Sequence, residues 1–368
     1  MSDLYFRYHP VVFAVGDDYR IFFCVDREGL AWVQIGDVRY SDTFCGVVRS
    51  RTLIHSITVP MAVLDAAGSY TVAFAPLPER VSYFNKPGDP VCRTYRFCPV
   101  PAENARFALL CDTHGNVAAP ARMALTGGRP DALLLGGDIG DSADTEEQIL
   151  TVHRLAHEIA AGEIPVVYAR GNHDTRGALA EKLGDYVATR DGKTYFTFRL
   201  GSVFGIVLDG GEDKRDGCPE YGGVADYPAF RRAQTAFLRE LAAHKEQTLN
   251  APGVRHRILL CHMPFTLATE DYIAVAGDDY ADWVRAVNGL GIDLALFGHM
   301  HALSRHARGE DNGGVRADFP VVVAAALNDH PDRLHSCQVN EYTGTGLAFS
   351  PDGIRADFIN SQGEIIPL

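Results

Sequence analysis

The sequence predicts an α/β domain preceded by a small all-β sandwich. Residues 1–98 break into short runs of β-branched and aromatic residues separated by turn residues. Further on, continuous apolar runs alternate with stretches of helical period, the mark of strands buried between helices. Between the two lie Lys86-Pro87-Gly88-Asp89-Pro90 and Pro99-Val100-Pro101. Prolines remove ladder donors, so a boundary is expected there. The expected division is a sandwich of immunoglobulin or fibronectin type over 1–98, a linker over 99–105 and an α/β domain over 106–368.

In the first part the strand candidates are Val11–Val15, Arg20–Asp26, Leu30–Ile35, Leu53–Val59 and Tyr70–Ala75, with no helical period of useful length. In the second, Phe107–Cys111, Ala132–Leu135, Pro165–Tyr168, Ile258–Cys261 and Ile292–Phe297 are the buried strands. Thr145–Ala161, Phe230–Lys245 and Asp279–Leu290 are the helices; Phe230, Phe237, Leu238 and Leu241 share one face at helical spacing. Pro320–Ala325, Gln338–Tyr342, Gly346–Phe349 and Ile354–Ile359 return to strand.

Composition narrows the function classes. The 368 residues are 46% hydrophobic and 22% charged, enough for a sizeable core. The formal net charge is −13; residues 1–100 hold ten bases and ten acids, so the whole excess lies in 101–368. That surface repels nucleic acid and anionic membrane, and strong nucleic-acid binding is not expected. No apolar run is long enough to span a bilayer, and no secretory signal is read at the N-terminus, so the expected location is cytoplasmic. None of the eight cysteines stands in a C-x-x-C pair, so reduced, mostly buried thiols are expected. No P-loop, dinucleotide-binding or nucleophile-elbow motif occurs, leaving NTPase, dehydrogenase and serine-hydrolase readings without support.

The chemistry is carried by the residues just past each buried strand. Phe107–Cys111 runs into Asp112-Thr113-His114, Ala132–Leu135 into Gly136-Gly137-Asp138, and Val166–Arg170 into Gly171-Asn172-His173-Asp174. Ile258–Cys261 ends at His262-Met263-Pro264, and Leu294–Phe297 at Gly298-His299-Met300-His301. A lone Asp after a strand is usually a cap and a lone His a core residue. Five strand ends bearing metal-ligand side chains are another matter, because ligands in open α/β folds sit beyond the carboxyl ends of the strands. Imidazole and carboxylate without thiolate suit Mn, Fe or Zn and disfavour a structural cysteine-type zinc site. Seven such side chains exceed one tetrahedral ion but fit two ions sharing a carboxylate, the arrangement used for in-line displacement at phosphorus.

Asp-x-His, Gly-Asp, Gly-Asn-His-Asp, a strand-terminal His with Pro two positions later, and Gly-His-x-His occur here in the order of the calcineurin-like metallophosphoesterases, which this chain resembles. The resemblance implies two mixed β-sheets packed face to face and flanked by helices. It implies that Asp112, His114, Asp138 and His301 hold one ion, and that Asp138 bridges to a second held by Asn172, His262 and His299. It gives His173 the role of general acid and, with Asn172, a place against the phosphate. The expected reaction is hydrolysis of a small-molecule phosphate mono- or diester by a hydroxide bridging the ions. Alternatives are a nuclease or cyclic-nucleotide phosphodiesterase of the same fold, or a catalytically silent metal-bound scaffold. The oligomeric state is left open. The N-terminal sandwich resembles, in position and size, the one preceding purple-acid-phosphatase-like domains.

Departures narrow the subfamily. Asp141 stands three residues after Asp138, where purple acid phosphatases carry a tyrosine ligand, so no iron–tyrosinate is expected. An Asp there resembles the protein Ser/Thr phosphatases, in which it partners the catalytic His; Asp141 is therefore a candidate to orient His173, or else a cap for the helix beginning at Thr145. The Arg-Gly that comes next in those enzymes is replaced by Ser142-Ala143, which weakens the case for protein substrates. His153 and His157, four apart, have chelating spacing but read better as a helix face. Gly211–Pro228, with Lys214, Arg215, Cys218 and Tyr221, is a candidate rim loop.

Overall fold

The computed structural model describes residues 5–219, 221–267, 270–324 and 342–367, with 270–275 as backbone only. The expected strand at Gln338–Tyr342 lies, but for Tyr342, outside the described residues.

The protein is α/β, with two mixed sheets flanked by helices and an antiparallel sheet region at its N-terminus. A nine-stranded sheet has Ala105–Leu110, Ala132–Leu135 and Pro165–Tyr168 as parallel neighbours at its middle. Thr343–Ser350 pairs antiparallel on one flank. A six-stranded sheet has Val203–Leu208, His256–Cys261, Leu294–Phe297 and Val321–Val323 parallel, with Phe196–Leu200 and Ser304–His306 antiparallel at the edges.

Alternation of side chains explains how the layers stack. In the second sheet Ile258, Leu260, Leu294 and Leu296 join the core shared with Leu109, Leu133 and Val167 of the first. Their neighbours Leu259, Cys261, Ala295 and Phe297 face the other way, into a second core with Leu238 of the helix Tyr227–Ala243 and Trp283 and Val287 of the helix Glu270–Asn288. Both faces of these strands are therefore apolar, as their unbroken hydrophobic runs require.

In the N-terminal region two antiparallel layers face each other. Val38–Ser41, Gly29–Ile35, Ser69–Pro76 and Val91–Arg96 form one. Val11–Val15, Asp18–Cys24 and Ile54–Pro60 form the other, and Phe74 meets His55 across the interface with ring centroids 6.2 Å apart. The second layer is not self-contained. Val11–Val15 pairs in parallel with Pro165–Tyr168, through Val12 to Pro165 and Phe13 to Val166, so the nine-stranded sheet runs across the expected boundary at 98–105. The reason lies in the burial of the strands: Val11–Val15 is buried at every position, whereas Gly29–Ile35 alternates as a one-sided sandwich strand should.

Three local expectations change. Met61–Ala67 is a helix, ended by Gly68 in the left-handed region, and too short for a hydrophobic period to show. Ala118–Ala124 is another helix. The segment 145–161 is two helices, Glu146–Ile149 and Thr151–Ile159, and the first is capped by Thr145 in a reciprocal box with Gln148, which removes the capping role considered for Asp141.

Candidate metal centre

All five expected motifs lie at the carboxyl ends of parallel strands, three in one sheet and two in the other. The backbone leaves three of these five strands through left-handed residues. Asp112, His114, Asp138, His299 and His301 have φ of 52°, 44°, 52°, 69° and 50°. A side chain in this left-handed region is strained, by about 1–3 kcal/mol each, and such strain gathers where a fold holds groups for a purpose. Glycines permit the close approach: a Cβ on Gly298 would lie 2.7 Å from Asp112 Oδ2, and one on Gly171 would collide with Asp138 Oδ1.

Three groups of possible ligands result, one of which joins His114 to Asp141 and His173. Asp112, His114 and His301 present ligand atoms within 4.8 Å of one another, and Asp138, His262 and His299 do the same. His114 Nε2 and His301 Nε2 are 3.2 Å apart, and His301 Nε2 is 3.6 Å from Asp112 Oδ1. Asn172 Oδ1 lies 2.8 Å from His299 Nδ1, at the edge of the second group. His262 links the groups, with Nε2 3.1 Å from Asp138 Oδ2 and 3.7 Å from Asp112 Oδ1.

Each side chain is held from behind. His262 Nδ1–H donates to the Gly136 carbonyl at 2.9 Å, leaving Nε2 aimed inward. The His299 N–H donates to both Asp112 oxygens, at 2.9 and 3.1 Å. The His173 N–H donates to Asp138 Oδ1 at 2.8 Å, leaving Oδ2 for the cluster. Asp174 accepts from Asp138 N and Gly171 N at 3.0 and 2.9 Å, tying two of the strand-end turns together.

The electrostatics call for cations. Burial pushes the Asp112 carboxyl up to about 7, against the pull of His262. Although buried, His262 is raised to about 10, because Asp138 and Asp112 beside it demand positive charge. Its buried Nε2 has no well-aligned hydrogen bond. A dication placed there would serve the same two carboxylates better than a proton. Burial and the nearby His262 push His299 down to about 3, so it is neutral with a lone pair to give. Imidazole, carboxylate and amide oxygen form a coherent donor set for first-row ions. The residues fit a pair of metal ions.

His173 sits beside this cluster, Nε2 4.0 Å from Asp138 Oδ2. Its Nδ1 lies 2.8 Å from the backbone carbonyl of Asp141, while the Asp141 carboxylate is 4.0 Å away, largely exposed and nearer to His114 Nδ1 at 3.4 Å. The contact expected of the Asp141 side chain is thus made by its main chain. A carbonyl as acceptor fixes the proton on Nδ1 and directs Nε2 toward the cluster.

Sequence reasoning passed over Arg176. Its Nη1 is 3.1 Å from His173 Nε2, and Nε and Nη2 grip the buried Glu212 at 2.7 and 2.8 Å. Asp213 approaches His299 Nε2 at 3.8 Å and Lys214 Nζ at 3.0 Å, so the loop expected at the rim does reach the site. The available signal for Arg176 was its place just after Gly-Asn-His-Asp, as the residue that ends the helical turn His173–Thr175.

Other candidates separate from the centre. His153 Nε2 donates to the Tyr186 carbonyl at 2.7 Å, whereas His157 Nδ1 accepts from His9 N at 3.0 Å, so the pair does not chelate. Cys111 and Cys261 are buried, and burial raises both thiols well above their usual range. No helix among the described residues is long and apolar enough to cross a membrane.

Comparison with known proteins agrees with this geometry. The chain is 26% identical over 212 residues to the serine/threonine-protein phosphatase CPPED1 of Rattus norvegicus, covering 54% of this chain and 60% of that protein. The Mus musculus protein of the same name is 26% identical over 208 residues, with the same coverage. The match therefore spans about three fifths of these curated relatives. In fold, a purple acid phosphatase, PPD1 from yellow lupin (Lupinus luteus) seeds, is similar with a TM-score of 0.58 at 13% identity, covering 98% of this chain and 72% of that one. The family described as calcineurin-like phosphoesterase matches residues 105–303, the stretch that contains every residue of the cluster from Asp112 to His301. The chain belongs to the calcineurin-like phosphoesterase family.

Proposed function

We propose that this protein hydrolyses phosphate mono- or diesters of small molecules at a two-metal centre. The observation that carries the reading is the meeting of seven donor side chains from five strand ends, with His173 at their edge. In this reading Asp112, His114, Asp138 and His301 hold one ion, and Asp138, Asn172, His262 and His299 the other, drawn from Mn, Fe or Zn. Such ions, when bound, acidify water and offset the charge on phosphoryl oxygens.

The chain's own groups do the rest. Asp138 Oδ1 is held by the His173 N–H, so Oδ2 is the oxygen that would be left to serve the ions. His173, its Nδ1–H held by the Asp141 carbonyl, turns Nε2 toward the cluster, where, with Arg176 displaced and a second proton on the ring, it would protonate a leaving oxygen. Arg176 Nη1 meets that nitrogen at 3.1 Å. The acidic balance of 101–368 weighs against a duplex nuclease. The name of the curated relatives supports a second reading, a phosphoserine or phosphothreonine substrate.

The test uses purified protein with Mn²⁺, Fe²⁺ or Zn²⁺ on p-nitrophenyl phosphate, its bis-ester and a phosphopeptide set. Metal-dependent release of product from the simple esters supports the proposal. Turnover of peptides alone would favour the second reading, and turnover of none would favour a silent scaffold.

A further inference from the structure

We infer that a cavity opening beside Arg176 receives the leaving group of the substrate, and that this group carries a neutral aromatic ring. The inference rests on the phosphoesterase reading and adds a substrate class to it. The cavity, about 700 Å³, lies between the turn after His173 and the start of the helix Tyr227–Ala243. That is ample for a ring-bearing alcohol.

Position comes first. Arg176 lines the cavity and touches His173 Nε2 at 3.1 Å, so a single side chain separates the space from the candidate general acid. A second thread runs through its wall: the Tyr221 hydroxyl is 3.3 Å from Thr175 Oγ1, which donates to the Asn172 carbonyl at 2.8 Å. Among the described residues another cavity, about 590 Å³, is bounded by Arg190, Tyr195 and Phe237; neither cavity is lined by a ligand residue of the cluster. Of these two, the first is the one lined by a side chain, Arg176, in contact with His173.

The lining then selects the occupant. Tyr221, Tyr227 and Phe230 form an aromatic wall with successive ring centroids 5.8 and 6.5 Å apart. Val224, 87% exposed, stands at the rim as an apolar edge without a cover. Two guanidiniums also line the space, which could suggest a second anionic group. Both are already neutralised, Arg170 by the buried Asp209 at 2.7 Å and Arg176 by the buried Glu212. Glu181 and Asp226 at the margin add negative charge. A second phosphate or carboxylate is disfavoured, whereas an uncharged ring gains apolar burial and contact with ring faces.

The experiment compares 2-phenylethyl phosphate with ethyl phosphate, whose leaving groups are both primary alkoxides, on protein loaded with Mn²⁺. The expected kcat/KM ratio is about 10–100 in favour of the ring. In Val224→Asp, a surface change that should leave folding intact, and in Phe230→Ala the ratio should fall toward one. A ratio near one in the unsubstituted protein would overturn the inference while leaving the phosphoesterase reading standing. A second measurement is independent of turnover. Saturation-transfer NMR on metal-free protein should show the ring protons of 2-phenylethanol in contact, with the signal reduced in both variants. Contact without hydrolysis of any ester would remove the phosphoesterase reading but keep the aromatic site; no contact would remove the site.

Discussion

Arg176 holds His173 and Glu212 at once, with Nη1 3.1 Å from His173 Nε2 and the other two nitrogens on a carboxylate buried from solvent. The arrangement couples a catalytic candidate to a charge that has no comparable partner, since Lys214 Nζ is 3.9 Å from Glu212. Arg176→Met should strand that carboxylate. Removing one partner of a fully buried pair costs about 3–5 kcal/mol, and Arg176 is partly exposed, so a loss near 2 kcal/mol is expected in denaturant unfolding. Turnover of p-nitrophenyl phosphate should fall roughly ten- to hundredfold, mainly in kcat, because His173 loses a neighbour that positions it. Adding Glu212→Leu should restore stability without restoring kcat. Recovery of both would reduce Arg176 to a structural role.

His173→Asn should retain both metal ions and slow turnover by about 10²–10⁴-fold, the range for a general acid. Metal content by elemental analysis and steady-state kinetics read the two effects separately. Asp141→Ala tests the neighbour. Because Nδ1 meets the Asp141 carbonyl at 2.8 Å and not the carboxylate, the substitution should change kcat by no more than about threefold, a small barrier change. A hundredfold loss would return the role to the side chain.

The two oxygens of Asp138 serve different partners, Oδ1 the His173 N–H and Oδ2 the His262 imidazole. Asp138→Asn removes the negative charge between the two ligand groups and should lower occupancy of both ions together. Loss of one ion alone, read by elemental analysis of dialysed protein, would mean that Asp138 does not bridge.

Much of this centre was legible because its pieces are local in sequence. A buried strand, a glycine and a His or Asp within a few residues announce a ligand at a strand end, and Asp112, Asp138 and His299 are such cases. What stayed hidden depends on distance along the chain. Arg176 and Glu212 are 36 residues apart, and only the fold joins them. Asp174 was visible within Gly-Asn-His-Asp, yet nothing in the string says that its carboxylate collects two backbone N–H groups from separate turns. The same limit governs the sheets. Short strands at the N-terminus are a local property, whereas the pairing of Val12 with Pro165 is not.

His153 supports a last expectation, on stability and pH. Its ring is fully buried, Nε2–H donates to the Tyr186 carbonyl, and Nδ1 lies 3.6 Å from Cys24 Sγ. Burial lowers its pKa from 6.5 to about 4, outweighing the favourable carbonyl contact. Between those values the unfolded chain holds the proton and the folded chain does not. Stability from this site is therefore complete above about pH 6.5 and is lost as pH falls toward 4. At roughly 1.4 kcal/mol for each unit of difference, the loss approaches about 3 kcal/mol. His153→Gln keeps a donor for the Tyr186 carbonyl and removes the titration. Urea unfolding at pH 7 and pH 4.5 should show the native chain losing more stability than the variant over that interval. Parallel losses would show that His153 is not the residue through which acid acts.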